Sequence, residues 1–491
     1  MTDLHRAAGA GGLADALGDP ALARRVLDRA LAGRAAWAEV YHEVRTDGSV
    51  TMNDGERTSR SASLTEGVGL RAVGPAGTCN VYGPAPDPAA LLRLAERAAD
   101  AYDALAGGGA PGEPPTAPAG RPESAARLWA DANPADANPW ADARWDETLD
   151  LGRLEAHAAA ALAAATETDT DGVRVRATTW SRSVVVVNSL DGRARWTTRG
   201  TRFAVDAFAR RGADRRRGRA NHCSDLPVGA IDAAPAQDAG RRAAAQAHRV
   251  LGTSAAPPAA VPVVLAPAAA ALLVHELLGH PCEADMVAGG TSPLRPSGPA
   301  PALDSCVTVL DGCPPQGGWG RADRDDEGTP NAETVVIDRG VPSGVLTDRA
   351  SAEAHGWALT GNGRRQSYAH PVLPRVSGTR LAAGTSSADA LVAGLGDGLW
   401  VLAAQGGSVN ARTGMLTIDV KEARLVRGGV PGERVSATAV AAHARDVLRG
   451  IRAVADDPLT CPMICGKHGQ WIPVAAQAPS VLVERMQTVG G

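Results

Sequence analysis

The chain has 491 residues, of which 44% are hydrophobic and 3% aromatic, and its formal net charge is −4. A chain of this length exceeds what one hydrophobic core usually serves, so we expect two domains. The slightly acidic balance gives no indication of binding to nucleic acid or to an anionic membrane. Seven cysteines without the spacing of a disulfide framework argue against a secreted disulfide scaffold.

The start of the chain, MTDLHRAAGAGGLADALGD, lacks a basic stretch followed by an apolar one, so no signal peptide is predicted. The uncharged segment 255–274 could be mistaken for a membrane span. It contains four prolines and is rich in alanine, which favours a linker, a short strand and the start of a buried helix. We therefore predict a cytoplasmic protein without a membrane segment.

The first half predicts an N-terminal mixed α/β domain over residues 1–255. In chain order, period-two alternation and helical spacing predict strands at 37–51 and 67–82, a helix at 89–105, strand structure at 174–210 and a helix at 238–251. The Gly/Pro/Ala-rich segment 107–141 is interpreted as a long loop or insertion. The Pro/Ala run near 255–260 is the best candidate for a domain boundary.

The second half, residues 256–491, predicts a β-rich C-terminal domain, so the fold class is α+β. Its predicted elements are a strand at 261–265, a helix from residue 267, hairpins pairing 334–338 with 344–348 and 415–420 with 423–426, and a helix at 437–450. The helix that begins at residue 267 has its proline in the first turn, where proline is tolerated.

That helix contains the segment HELLGH, with His275, Glu276 and His280. Two neutral imidazoles are good zinc ligands, and a neighbouring carboxylate can act on an activated water. In the familiar HExxH pattern the histidines lie about 40° apart around the helix, but at i and i+5 they lie about 140° apart. Three outcomes stay open: a π-bulge aligns them, the helix ends at Gly279 and His280 reaches back, or the pair binds no metal.

A third protein ligand is needed for a catalytic zinc site, and the cysteines offer candidates. Cys465 lies in the glycine-punctuated segment MICGKHGQ near the end of the chain. A thiolate and two histidines would leave the fourth tetrahedral position for water. By residue type alone, the remaining candidates are no worse: Cys282, Cys306, Cys313 and Cys461.

Four separated motifs follow one another along the chain: HELLGHPCEAD at 275–285, DDEGTP at 325–330, GNGRRQSYAH at 361–370 and the final CGK…GQ…TVGG from residue 465 onward. Taken in this order, they resemble the TldD/PmbA (TldD/TldE) metallopeptidase family, and specifically its metal-bearing TldD branch. The resemblance covers nearly the whole chain. It departs at the turn PCEAD, where Pro281 and Ala284 replace glycine-rich positions and reshape access to the helix end.

The resemblance implies a two-domain subunit that holds a single Zn²⁺ and cleaves unstructured peptides. Carried over to this sequence, the ligands are His275, His280 and Cys465, and the general base is Glu276. It also implies that the functional unit is an oligomer, formed with a TldE/PmbA-like partner subunit or with a second copy of the chain.

Residues near the motifs are candidates for substrate binding. Tyr368, Lys467 and His468 could donate to an oxyanion. Arg364 and Arg365 could clamp a peptide carboxylate or backbone, and the alternative for both is a salt bridge in the protein interior or at an interface.

Two charged clusters are interpreted as structural. Residues 325–327 lack the alternating ligand spacing of a calcium loop, which favours a turn. The arginine-rich segment 210–219 has no interleaved aromatic residues, which favours a solvated loop over a nucleic-acid site.

Two further functions are alternatives to a peptidase. One keeps the zinc and changes the substrate, so that the protein is an amide hydrolase removing an amino-acyl or peptidyl group from a small biosynthetic precursor. The other is a non-catalytic partner subunit of a TldD/TldE complex, against which the presence of all three ligand types argues.

Overall fold

The computed structural model describes residues 12–490 apart from 86, 108–148, 191, 297–302, 316–317, 411 and 437. Its α-helices are α1 (Gly12–Gly18), α2 (Pro20–Ala30), α3 (Pro88–Gly107), α4 (Leu151–Ala165), α5 (Ala234–Val250), α6 (Pro267–Leu273), α7 (Ala284–Ala288), α8 (Arg349–His355), α9 (Ala388–Ala393) and α10 (Ala444–Gly450). Shorter turns are a 3₁₀ segment at Val228–Ala230, a π-helical segment at Val274–Gly279 and a 3₁₀ segment at His280–Cys282.

The strands up to residue 224 are β1 (Trp37–Asn53), β2 (Glu56–Gly74), β3 (Gly77–Gly83), β4 (Gly172–Asn188), β5 (Arg193–Arg211) and β6 (Asp214–Ser224). The later strands are β7 (Ala260–Leu265), β8 (Val309–Asp311), β9 (Thr334–Asp338), β10 (Val341–Pro342), β11 (Gly363–Arg364), β12 (Leu373–Pro374), β13 (Gly378–Leu381), β14 (Gly398–Val409), β15 (Met415–Arg427), β16 (Val430–Val435), β17 (Thr438–His443), β18 (Ile451–Val454), β19 (Leu459–Lys467), β20 (Gln470–Ala478) and β21 (Val481–Gly490).

The first six strands form one antiparallel sheet in the order β3-β2-β1-β4-β5-β6. Because side chains alternate along a strand, the even-numbered residues of β1 point to one face. That face packs against helices α1 to α3 at one end of the long strands, where Val40 is buried, and against α4 and α5 at the other, where Val50 is buried. The helices therefore cover one face of this sheet along its whole length.

The opposite face of the sheet packs against the second half of the chain. Glu39, Tyr41 and Glu43 alternate on this face of β1, and all three are buried. The guanidinium of Arg365 lies 4.2 Å from the centre of the Tyr41 ring and donates a hydrogen bond to Glu39. Since both faces are covered, the first eight residues of β1 are all buried.

The second half contains two larger sheets. One has the order β10-β9-β8-β13-β20-β19, so β19 lies at its edge. In the other, β14 pairs with β7 and also with β15, which closes β14, β7, β21, β17 and β15 into a ring. A shared core between these sheets includes α6 and the π-helical segment, where Leu273, Val274 and Leu278 are fully buried.

The predicted fold class is confirmed: an α/β N-terminal part precedes a β-rich C-terminal part. The predicted strands at 37–51 and 67–82, the helices at 89–105 and 238–251, and the strand and helix from 261 are confirmed as elements. Residues 108–141 of the predicted insertion lie outside the described residues. No helix of the described part is long and apolar enough to cross a membrane.

Both predicted hairpins of the second half are wrong. Strand β9 pairs with β10 and not with residues 344–348, because Leu346 forms hydrogen bonds with Cys282 and Ala284 instead. The predicted turn between 420 and 423 does not exist, since β15 continues through Glu422 while it pairs with β14.

Two other local predictions also need correction. The helix predicted at 437–450 begins only at Ala444, because residues 438–443 form β17 between β15 and β21. The arginine-rich segment 210–219 is not a loop but the end of the β5–β6 hairpin, where Arg210 and Arg215 form ion pairs with Asp171.

Candidate metal centre

Helix α6 continues without a break into the π-helical segment Val274–Gly279. The backbone N–H of His280 donates to the carbonyl of His275, which is an i to i+5 hydrogen bond. A π turn accommodates one more residue than an α turn, so it brings positions i and i+5 to the same side. The two imidazole rings lie with centroids 4.5 Å apart. Of the three outcomes left open by the sequence, the π-bulge is confirmed.

The end of this helix is shaped by Gly279 and Pro281. A Cβ atom at Gly279 would lie 3.1 Å from side-chain atoms of both Thr379 and Val376, so only glycine fits here without displacing them. The chain then tightens into the 3₁₀ segment that contains His280 and Pro281. The glycine thus lets the helix end pack closely against the strand behind it.

Cys465 reaches the histidines from a different element. It lies on the edge strand β19, which is joined to β20 by a two-residue turn at His468 and Gly469. Both turn residues have positive φ (48° and 76°), as the type I′ hairpin turn requires. The Cys465 Sγ atom lies 3.3 Å from Nε2 of His280, and the ligand atoms of the two histidines and Cys465 all lie within 4.8 Å of one another.

The surroundings of Cys465 favour the thiolate, which is the form that binds metal. Burial alone would raise the pKa of this thiol, but hydrogen bonds from His275 and His280 lower it to about 5. The fully buried Arg375 adds a guanidinium hydrogen bond of 3.0 Å to the same sulfur and one of 2.9 Å to the Cys465 carbonyl.

His280 is held in place through its other ring nitrogen. Its Nδ1 lies 2.9 Å from a carboxylate oxygen of the fully buried Glu283. Burial alone would raise the pKa of Glu283, but His280 and Lys467 lower it to about 2. An ionised carboxylate that holds one ring nitrogen directs the other one towards a metal.

The donor set fits Zn²⁺. Two imidazoles and a thiolate are zinc ligands that lie about 2.0–2.3 Å from the metal, and three protein ligands leave a position open for water. Nδ1 of the buried His275 has no hydrogen-bond partner among the described residues. This ring therefore retains hydrogen-bonding capacity that no protein group satisfies.

Glu276 lies beside these residues and faces a cavity. Burial raises the pKa of its carboxyl group, while His275 and His280 act in the opposite direction. The backbone N–H of Val409, at the end of β14, also lowers the pKa of this carboxyl group. Glu276 thus lies between the paired histidines and the end of a neighbouring strand.

The cavity has a volume of about 2130 Å³ and is lined by both parts of the chain. Its lining includes the three candidate ligands, Glu276 and the stretch 403–409 of β14. Strand β7 pairs with β14 only at residues 399–401, so in the described part of the chain the 403–409 stretch has a strand partner on one side alone. The wall next to Glu276 is therefore an open sheet edge.

Comparison with known proteins identifies the family of this chain. A family model described as the PmbA/TldA metallopeptidase C-terminal domain matches residues 258–490, and one described as PmbA/TldA metallopeptidase domain 1 matches residues 38–101. The chain belongs to the PmbA/TldD metallopeptidase family. The family predicted from the four ordered motifs is thereby confirmed.

Similar proteins include a metalloprotease TldD homolog of Haemophilus influenzae, 32% identical over 51% of this chain and 52% of that protein. A zinc metalloprotease TldD homolog of Saccharolobus solfataricus is 27% identical over 47% of this chain and 51% of that protein. The matched region spans about half the length of these relatives. The crystal structure of TldE from Thermococcus kodakarensis shares the fold, with a TM-score of 0.69, 16% identity and coverage of 96% of this chain and 100% of that chain.

Two of the predicted substrate-binding residues of this family member line the cavity. His468 is at the tip of the β19–β20 turn, with its side chain 69% exposed. Lys467 also lines it, but its ammonium group donates to Glu283, Asp285 and the Pro374 carbonyl. Its three donor hydrogens already have partners, so it is poorly placed to serve an oxyanion.

The structure does not bring the other three to the cavity. Arg364 and Arg365 are buried next to Asp326, and Arg365 also pairs with Glu39, which corresponds to the salt-bridge alternative. Tyr368 packs against strand β2, where a Cβ atom at Gly67 would lie 2.3 Å from its ring. These residues join the two halves of the chain.

Sequence reasoning missed two residues that support the ligands. Glu283 has a local signal, since it follows His280 by three residues and can reach its ring within one turn. Arg375 has none, because it is 90 residues away from Cys465 and only the fold brings them together.

Proposed function

We propose that this chain is a zinc-dependent peptidase that cleaves unstructured peptides. One observation supports this above all: the ligand atoms of His275, His280 and Cys465 converge beside Glu276 on the wall of a large cavity. Zinc, when bound there, would supply the Lewis acidity that activates water and polarises a peptide carbonyl.

Glu276 is proposed as the general base. Its carboxylate would take a proton from the attacking water and deliver it to the amine nitrogen that leaves when the peptide bond breaks. A pKa raised by burial suits both steps, since a proton acceptor works best when its pKa lies near the working pH.

The open edge of β14 suits an extended peptide. Residues 403–409 offer backbone N–H and C=O groups along the wall that ends at Glu276. A substrate that adds to this edge as a strand would be recognised through its main chain, with little dependence on sequence. This requirement explains why the substrate must be unstructured.

The cavity size also favours a peptide over a small biosynthetic amide. Pockets for small molecules usually measure about 300–1,000 Å³, and this cavity measures about 2130 Å³. Its lining includes three exposed apolar side chains of the β19–β20 hairpin: Leu459, Ile464 and Trp471. We propose that a partner subunit, either TldE-like or a second copy, covers them.

The decisive experiment replaces Glu276 with Gln in the zinc-loaded protein. We expect kcat on a pool of unfolded peptides to fall by about 10²–10⁴, because the proton acceptor is lost. Zinc content, measured by elemental analysis, should stay at the wild-type level. The matched control is Glu433→Gln, at an exposed position outside the cavity, which should cleave like wild type. Undiminished cleavage by the Glu276 variant would exclude it as the base.

A further inference from the structure

The walls of the cavity have a charge opposite to that of the whole chain. Three carboxylates line it, and all three lie within the segment 275–285 that carries the two candidate histidine ligands: Glu276, Glu283 and Asp285. Six arginines line the rest: Arg219, Arg242, Arg295, Arg412, Arg445 and Arg449. The chain as a whole has a net charge of −4, so this concentration of positive charge is local.

Within the described part of the chain, two of the six arginines have a carboxylate partner. Arg219 forms two hydrogen bonds with Asp206, at 2.7 and 2.9 Å, and Arg242 forms one with Asp238 at 2.6 Å. The other four form no ion pair with any residue that the structure describes. We call these four, Arg295, Arg412, Arg445 and Arg449, the free arginines of the cavity.

Arg445 and Arg449 place two of these charges on one helix face. They are both exposed and lie four residues apart on α10, so their side chains share a face of the helix. Arg449 lies in the last turn, where a positive charge is favourable, but the two like charges repel each other at this spacing. Asp446, the one carboxylate of α10, pairs with neither of them. Both guanidinium groups are therefore available to a ligand with negative charge.

We propose that the free arginines bind carboxylate side chains of the substrate, so that acidic peptides are the preferred substrate class. This inference rests on the proposed peptidase function. A guanidinium group binds a carboxylate through two parallel hydrogen bonds, which gives both attraction and orientation. Positive walls also raise the rate at which an anionic peptide enters the cavity.

The test uses three fluorescent peptides of equal length that differ only in having Glu, Gln or Lys at the same alternate positions. At low ionic strength we expect kcat/KM to be highest for the Glu peptide, by about 10-fold or more over the Gln peptide, and lowest for the Lys peptide. The preference should shrink in 0.5 M NaCl, because salt screens exposed charges.

The double variant Arg445→Glu/Arg449→Glu should lose about 10-fold on the Glu peptide and gain on the Lys peptide, with unchanged zinc content. Its control, Arg427→Glu/Arg485→Glu, makes the same change in net charge at exposed positions outside the cavity and should keep the wild-type order.

Equal kcat/KM for the three peptides with wild type would overturn the inference and leave the peptidase standing. If no peptide is cleaved, fluorescence anisotropy with the zinc-loaded protein decides. Tighter binding of the Glu peptide would support recognition of acidic ligands while the peptidase proposal fails. Equal binding of all three would overturn both.

Discussion

The metal centre and the acidic turn formed by Asp325, Asp326 and Glu327 both bury polar and charged side chains, but they pair them differently. In the acidic turn each carboxylate meets donors: Asp325 accepts three backbone N–H groups, Asp326 accepts from Arg182, and Glu327 pairs with Arg71. In the metal centre the ligand atoms converge on one another instead. The cavity reaches only the second cluster.

This difference shows that a buried charge alone does not indicate chemistry. The acidic turn joins the two halves of the chain, since Arg71 and Arg182 come from the N-terminal sheet. Buried charges that are fully paired have a structural role. Donor atoms that converge on one another and border a cavity are the better sign of a functional site.

The largest expected effect is on the free energy of unfolding and concerns the buried ion pairs that join the two halves of the chain. Arg365→Met removes the guanidinium that pairs with Glu39 and packs on Tyr41. Removing one partner of a buried ion pair costs about 3–5 kcal/mol, and Glu39 would keep only Arg71, whose guanidinium lies 3.7 Å away. We expect the free energy of unfolding, measured by urea titration, to fall by this amount. Zinc content of the folded protein should not change.

The control for this variant is Arg380→Met, which breaks an exposed pair with Glu333 in the C-terminal part. Exposed pairs contribute about 0–1 kcal/mol, so this change should barely alter unfolding. Equal destabilisation by both variants would contradict the structural role of the Arg365 pair, and loss of zinc by Arg365→Met would remove the distinction between the two clusters.

The second largest expected effect is on zinc affinity at the candidate metal centre. Cys465→Ala removes one of the three proposed ligands, so we expect zinc affinity, measured by competition with a chelator, to fall by more than about 100-fold. Loss of a group that merely supports a ligand costs about 10–100-fold. Unfolding of the metal-free protein should change little in comparison with Arg365→Met.

Cys461 provides the matched control. It lies on the same strand, four residues earlier, and also lines the cavity. Burial raises its pKa to about 11, whereas that of Cys465 is about 5. Cys461→Ala should bind zinc like wild type. Full zinc binding by Cys465→Ala would exclude this residue as a ligand.

The part of the candidate metal centre that lies within one helix could be analysed from the sequence. The spacing of His275 and His280 required a departure from α-helical geometry, and the structure has a π turn at that point. The residue type alone could not distinguish Cys465 from the other cysteines, because the distinction depends on how β19 packs against the helix. Only the family resemblance singled it out.

Long-range contacts explain most of what the sequence could not predict. Gly67 and Gly69 interrupt the alternation of β2, and their reason lies at Tyr368: a Cβ atom at Gly69 would come within 2.5 Å of the Tyr368 carbonyl oxygen. The failed hairpin at 344–348 has a similar cause, since Leu346 pairs with the turn after His280. The local sequence pattern predicts helices and strands, while long-range contacts determine which of them pack or pair with one another.

The smallest expected effect concerns Glu283 and tests whether a fully paired carboxylate can still increase the affinity for zinc. Glu283 is as buried as the acidic turn and pairs with Lys467, yet it also holds His280. Glu283→Gln should weaken zinc binding by about 10–100-fold, since the carboxylate orients the ligand and increases its basicity. Glu422→Gln is the control, because Glu422 is also buried and paired with arginines but contacts none of the ligands. If both variants bind zinc like wild type, Glu283 has only a structural role, and zinc affinity does not depend on the carboxylate that holds His280.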